Sequence, residues 1–265
     1  MAYAELPENL QVFYEDDDFT DPWKKPETII LQHGNSKNTR LWYKWVPLLA
    51  ADYRVIRMDA RGFGRSSVPP AGYGWSLEGF ARDIRNLMDY LDIEKAHLVG
   101  ETVGGTFALQ FAHDFPNRLH TVTACSSPYS FRGEQRYLDF YNLVKEKGVE
   151  AWVRQTSTSR LPEGTTDAGH REWYVQQMAR TNQRVVMESL AYLATVDLTG
   201  TLPEIKVPAL VLVGADAGES TVRARKMASL LGNGRVVEVL GVSGFVQHEA
   251  PEQCVKVWRE FVQNV

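Results

Sequence analysis

The chain has 265 residues, 44% of them apolar and 23% charged, the proportions of a globular protein with a sizeable core. A formal net charge of −4 leaves no basic footprint for nucleic acid or an anionic membrane surface, and no apolar run reaches the roughly 18 residues of a transmembrane helix. Cys125 and Cys254 are too few for a disulfide framework and lack metal-ligand spacing, and the acidic stretch from Met1 to Pro26 is unlike a signal peptide. The expectation is a cytoplasmic protein with no metal and no cofactor.

Short, nearly continuous apolar runs predict strands at Thr28–Gln32, Arg54–Met58, Ala96–Val99, Thr121–Cys125, Ala209–Val213 and Val236–Leu240. Helical spacing separates them. Ser76 is placed to cap a helix that carries Phe80, Ile84, Leu87, Met88 and Leu91 on one face. Pro251 suits the first turn of a final helix bearing Cys254, Trp258 and Phe261. This alternation predicts an α/β architecture, a mostly parallel central sheet with helices on both faces.

Residues 129–200 break the alternation. They read as helices at Tyr137–Lys147, Glu150–Gln155 and Glu172–Leu193, with aromatic residues concentrated among them. The expected organisation is a core of residues 1–128 and 201–265 with a helical cap at 129–200, closing a pocket over a small molecule.

One segment carries more chemistry than the rest. The apolar run before Gly100-Glu101-Thr102-Val103-Gly104 leads directly into an amphipathic helix bearing Val103, Phe107, Ala108 and Phe111. A strand, a Gly-x-x-x-Gly turn and a helix make a nucleophile elbow, which raises its central side chain above a parallel sheet. That side chain is Thr102. The elbow drives its central residue towards positive φ, which is costly for a β-branched side chain.

Four motifs in order, over nearly the whole length, resemble the α/β-hydrolase superfamily, and in particular capped enol-lactonases and meta-cleavage-product hydrolases. They are His33-Gly34-Asn35 after the first strong strand, Asp59-Ala60-Arg61-Gly62-Phe63-Gly64-Arg65-Ser66, the elbow, and Leu202-Pro203-Glu204-Ile205-Lys206-Val207-Pro208 leading back into the sheet. The resemblance implies a Ser, acid, His triad in that order. This chain departs from it at all three positions. Thr102 stands for the serine, either as a nucleophile or as the pocket floor. Ala217 stands at the acid position, with Asp216 one residue earlier and Glu219 two residues later. Gly244 stands at the base position, leaving His248 as a displaced base and His33, which the resemblance makes chiefly structural, as the other nearby imidazole.

The oxyanion apparatus needs backbone amides rather than particular side chains. The amides of Asn35 and Val103 can supply it, with Gly34 allowing close approach. Glu101 beside the elbow, and Tyr141, Trp152 and Arg154 from the cap, are further candidates for substrate contact. The expected function is hydrolase-like action on a small ester, lactone or C–C bond through Thr102 and the oxyanion amides. The alternatives are a non-hydrolytic enzyme (lyase, isomerase, decarboxylase or cyclase) and a ligand-binding pseudoenzyme. The partner is a small-molecule substrate or ligand, not nucleic acid or membrane, with a homodimer left open.

Overall fold

The computed structural model describes residues 2–265. Eight strands form one sheet: β1 Ala2–Leu6, β2 Leu10–Asp17, β3 Thr28–Gln32, β4 Arg54–Met58, β5 Ala96–Glu101, β6 Leu119–Cys125, β7 Ala209–Gly214 and β8 Gly234–Val239. Their order is β1-β2-β4-β3-β5-β6-β7-β8, with β1 and β2 antiparallel and every pairing from β4 to β8 parallel. Among the described residues nine α-helices accompany them: α1 Val46–Leu49, α2 Leu77–Tyr90, α3 Val103–Asp114, α4 Gln135–Arg160, α5 Ala168–Ala179, α6 Gln183–Leu193, α7 Glu219–Leu230, α8 Val246–Glu249 and α9 Pro251–Val262.

Each residue of β3, β5 and β7 is buried, because helices cover both faces of the sheet. Alternate residues feed separate cores. Ile30, Ile56, Leu98, Val122 and Val211 join the larger core with α2 and α3, while Ile29, Leu31, Val55, Val99 and Leu210 meet Trp42, Trp45 and Trp258 on the opposite face. Ser76 caps α2 as its spacing predicts, its Oγ accepting from the Gly79 amide at 3.0 Å. Pro251 opens α9, whose Cys254, Trp258 and Phe261 are buried.

The hairpin β1–β2 was not expected from sequence. Its edge strand β1 alternates buried with exposed residues, and β2 buries Val12, Phe13 and Tyr14 together but is interrupted by exposed Gln11 and runs into Glu15, Asp16 and Asp17, so neither shows the continuous apolar run of the central strands. In the segment between β6 and β7, one helix break falls where the sequence predicts it and another was not expected. Tyr137–Lys147 and Glu150–Gln155 are two halves of α4, broken where Gly148 takes φ 83°. The single expected helix Glu172–Leu193 is two helices. Arg180 ends the first and Asn182 caps the second, its Oδ1 accepting from the amides of Arg184 and Val185.

The three helices α4–α6 pack on one another and are pinned at their base, where Ser130 bridges Asp197 and the Phe131 and Leu198 amides donate to Val196 and Tyr129 carbonyls. Among the described residues no helix is long and apolar enough to cross a membrane.

Candidate active site

Strand β5 runs into α3 through Thr102, which has φ 49° and ψ −121°. A β-branched residue in this region carries about 1–3 kcal/mol of strain, held in place by the packing around it. The Thr102 amide donates to the Cys125 carbonyl at 2.8 Å, which fixes the turn. Its hydroxyl lies over the backbone of Gly34, where any Cβ would collide with it. The elbow therefore brings Thr102 and the His33-Gly34-Asn35 loop together.

Above them, between the sheet and α4–α6, is a cavity of about 650 Å³. Thr102, Val103 and Asn35 line its floor, and Trp152, Tyr174 and Phe140 its walls. Among the described residues neither the Asn35 nor the Val103 backbone amide has a hydrogen-bond acceptor. Val103 opens α3, so the positive end of the helix dipole also faces this floor. The Asn35 side chain adds to the set. Its Oδ1 accepts from Ser189 Oγ at 3.2 Å and Ser36 Oγ at 3.3 Å, while its buried Nδ2 has no partner. Trp152 Nε1 is likewise buried without a partner.

Arg160, at the end of α4, also lines the cavity. Its Nη1 meets Met178 Sδ at 3.4 Å and its guanidinium carbon lies 4.9 Å from the centre of the Trp152 ring. Among the described residues no carboxylate pairs with it. Burial pushes its pKa down, and the nearby phenols of Tyr174 and Tyr137 oppose that shift. Arg136 and Arg223, also on the cavity lining, differ in that both pair with Glu134.

Beside the elbow lies a buried ionic cluster. Glu101 Oε2 accepts from Lys37 Nζ at 2.7 Å and Gln247 Nε2 at 2.7 Å, and His248 Nε2 lies 2.9 Å away. Glu101 is fully buried, and Lys37 and His248 nearly so. Burial alone would raise the Glu101 pKa; Lys37 and then His248 overcome it and hold the carboxyl well below the usual range. Glu101, a candidate for substrate contact, thus does not itself line the cavity. It is sealed beneath Lys37, which lines the cavity.

The imidazoles lie apart from the Thr102 hydroxyl. His33 accepts from the Ala60 amide at Nε2 (2.9 Å), so its proton is on Nδ1 and donates to the Gly34 carbonyl at 2.7 Å. Both nitrogens brace the oxyanion loop. His248 turns towards Glu101. Gly244 has no room for a side chain: a Cβ there would come within 2.5 Å of both the Arg160 carbonyl and Glu249 Oε1. The end of α4 is docked onto this loop, with the Phe245 amide donating to the Arg160 carbonyl at 2.8 Å.

Other candidates separate. Asp216 is exposed at the cavity lining, whereas Glu219 is exposed at the start of α7 and does not line it. Trp152 lines the cavity, but Tyr141 does not. Arg154 is a surface residue whose guanidinium is held by Glu150 and Glu172, because its turn of α4 faces away from the sheet. Sequence reasoning missed Lys37 and Arg160. Glu101 was a signal for Lys37, since a carboxylate ending a wholly buried strand requires a cation.

Burial also sets a pH response. It pushes the pKa values of His33, His97 and His248 below 6.5, and that of His170 to about 4. As pH falls below 6.5, the unfolded chain takes up these protons before the folded one does, so acidification destabilises the fold. Glu101 adds the same sign below 4.5; His113, raised by Asp114, opposes it weakly from a more exposed position. The two enclosed rings, His33 and His248, are expected to carry most of this loss. Thermal melts from pH 8 to 5 should show a falling midpoint, and a flat profile would contradict this assignment.

Comparison with known proteins agrees with this architecture. A family model described as alpha/beta hydrolase fold matches residues 27–216. The chain is 23% identical over 239 residues to 3-oxoadipate enol-lactonase 1 of Acinetobacter baylyi, covering 89% of each. It is 30% identical over 223 residues to a 2-hydroxy-6-oxononadienedioate/2-hydroxy-6-oxononatrienedioate hydrolase of Paraburkholderia phymatum, covering 75% of this chain and 73% of that one. The crystal structure of the enol-lactonase from Burkholderia xenovorans LB400 superposes with a TM-score of 0.90 at 22% identity, over 99% of this chain and 100% of that one. With a family match across most of its length and the strained elbow beneath a cavity, the chain belongs to the α/β-hydrolase fold family.

Proposed function

We propose that the chain is a hydrolase-like enzyme acting on a small compound that carries both a carboxylate and a carbonyl group, such as an acidic lactone or a keto acid with a cleavable C–C bond. The observation that carries this reading is Arg160, a buried cation without a carboxylate partner, in a cavity whose floor presents unpaired amides. Arg160 would hold the carboxylate. The Asn35 and Val103 amides would face the carbonyl oxygen and stabilise charge as it develops there. The names of the similar enzymes, a lactonase and a hydrolase of a dienedioate, support the same substrate chemistry.

Thr102 is assigned to the cavity floor rather than to a covalent step. Acyl transfer needs a base within hydrogen-bond reach of the hydroxyl, and no imidazole among the described residues hydrogen-bonds it. That geometry also favours a second reading on the same cradle, a non-hydrolytic step through an enolate. The binding half is tested by calorimetry with 2-oxohexanoate and its methyl ester, which lacks the charge. The acid should bind at least tenfold more tightly; equal affinities would contradict the assignment of Arg160.

A further inference from the structure

The ionic cluster contains a cation that the proposed function has not used. Lys37 lies on the oxyanion loop, two residues beyond Asn35, and lines the same cavity. Its Nζ is 4.8 Å from the centre of the Phe245 ring and 5.6 Å from that of Tyr174, both cavity residues, and 2.7 Å from Glu101 Oε2. Glu101 is fixed from behind by Gln247 and His248. The ammonium is thus held at a set position by a carboxylate that does not itself reach the cavity.

We propose that Lys37 is the electrophilic residue of the site, a fixed positive charge that stabilises the oxyanion or enolate formed on the substrate's carbonyl, with Glu101, Gln247 and His248 as positioning residues. This rests on the cavity being the reaction site with Arg160 as the carboxylate anchor. Two cations then divide the ligand between them. Arg160 meets charge that is present from the start, while Lys37 and the Asn35 and Val103 amides meet charge that appears during reaction. Only the second kind of contact accelerates chemistry, because it is stronger in the transition state than in the ground state. Water is the poorer competitor here, since both partners of the ion pair are almost wholly out of solvent.

The test uses 4-hydroxy-3-nitrophenylacetate, whose carboxylate is permanently charged at neutral pH and whose phenol ionises to a yellow phenolate. Absorbance against pH at saturating protein reads the ionisation of the bound phenol directly. In the wild-type chain it should ionise at least tenfold more readily than free probe. Lys37→Met should remove most of that gain while leaving affinity for the protonated phenol within about threefold. Arg160→Met should weaken binding about tenfold or more without moving the ionisation of bound probe. Because Lys37→Met leaves Glu101 without its cation, the double variant Lys37→Met, Glu101→Gln is measured beside it and should behave in the same way. Unchanged phenol ionisation in both Lys37 variants, with Arg160→Met still weakening binding, overturns the role of Lys37 alone. Failure of the wild-type chain to bind the probe, or full binding by Arg160→Met, overturns the underlying assignment and this inference with it.

Discussion

Arg160→Met is expected to lose most of the affinity for carboxylate ligands and, at the same time, to make the unliganded chain more stable. The two effects have one cause. The guanidinium is buried against Trp152 and Met178 with no carboxylate among the described residues to offset its desolvation. Methionine keeps the apolar packing of the arginine stem and removes the charge. A gain of about 1–3 kcal/mol follows from relieving that desolvation. A charge-assisted hydrogen bond to a ligand carboxylate is worth about 1.5–3 kcal/mol, so affinity should fall by about 10- to 150-fold. Thermal melts and calorimetry on the same preparation read both. A variant that melts lower and binds equally well would make Arg160 a structural residue.

Glu101→Ala is expected to be among the most damaging single substitutions in the core. It leaves the ammonium of Lys37 buried with no counter-charge and removes the acceptor shared by Gln247 and His248. Breaking a buried pair from one side costs about 3–5 kcal/mol, because the remaining charge stays out of water. The cluster also joins three segments distant in sequence: the oxyanion loop, the end of β5 and the helix α8. The double variant Lys37→Met, Glu101→Met removes both charges in side chains of similar length and should recover part of the loss. Chemical denaturation of the two single variants and the double variant gives the coupling. A loss below about 1 kcal/mol for Glu101→Ala would show that the cluster is not a stabilising unit.

The parts of the fold that could be read from sequence were those governed by local periodicity. Strands such as Thr28–Gln32 and Ala209–Gly214 are buried on both faces and so are written as nearly continuous apolar runs. In the edge hairpin Ala2–Leu6 with Leu10–Asp17, the first strand alternates and the second has a short buried run followed by three acidic residues, and neither pattern was distinguished from loop. Among the helices at 129–200, existence was legible, and so was the break at Gly148, but the break before Asn182 was not. Asn182 is a punctuation mark that helical propensity on either side concealed.

The site divides in the same way. Thr102, Asn35 and Val103 follow from a strand–turn–helix pattern and from a loop after a strand, both local signals. Lys37 and Arg160 have no such signature, since each is defined by what the fold places around it. Lys37 matters because Glu101, 64 positions later in the chain, is buried against it. Arg160 matters because, among the described residues, the fold places no carboxylate beside it. His248 was legible as an imidazole near the final helix, but its orientation depends on Glu101, which draws its Nε2 to 2.9 Å. The closing of the space beside Gly244 by the Arg160 carbonyl is a tertiary fact with no trace in either local sequence.

The most direct measurement is a crystal structure of the chain grown with a small keto acid such as 2-oxohexanoate. The account predicts the carboxylate on the Arg160 guanidinium, the carbonyl oxygen within hydrogen-bond distance of the Asn35 and Val103 amides, and no bond to Thr102. Electron density joining the ligand to Thr102 Oγ1, or an acid bound elsewhere with the cavity above the elbow left unfilled, would contradict it.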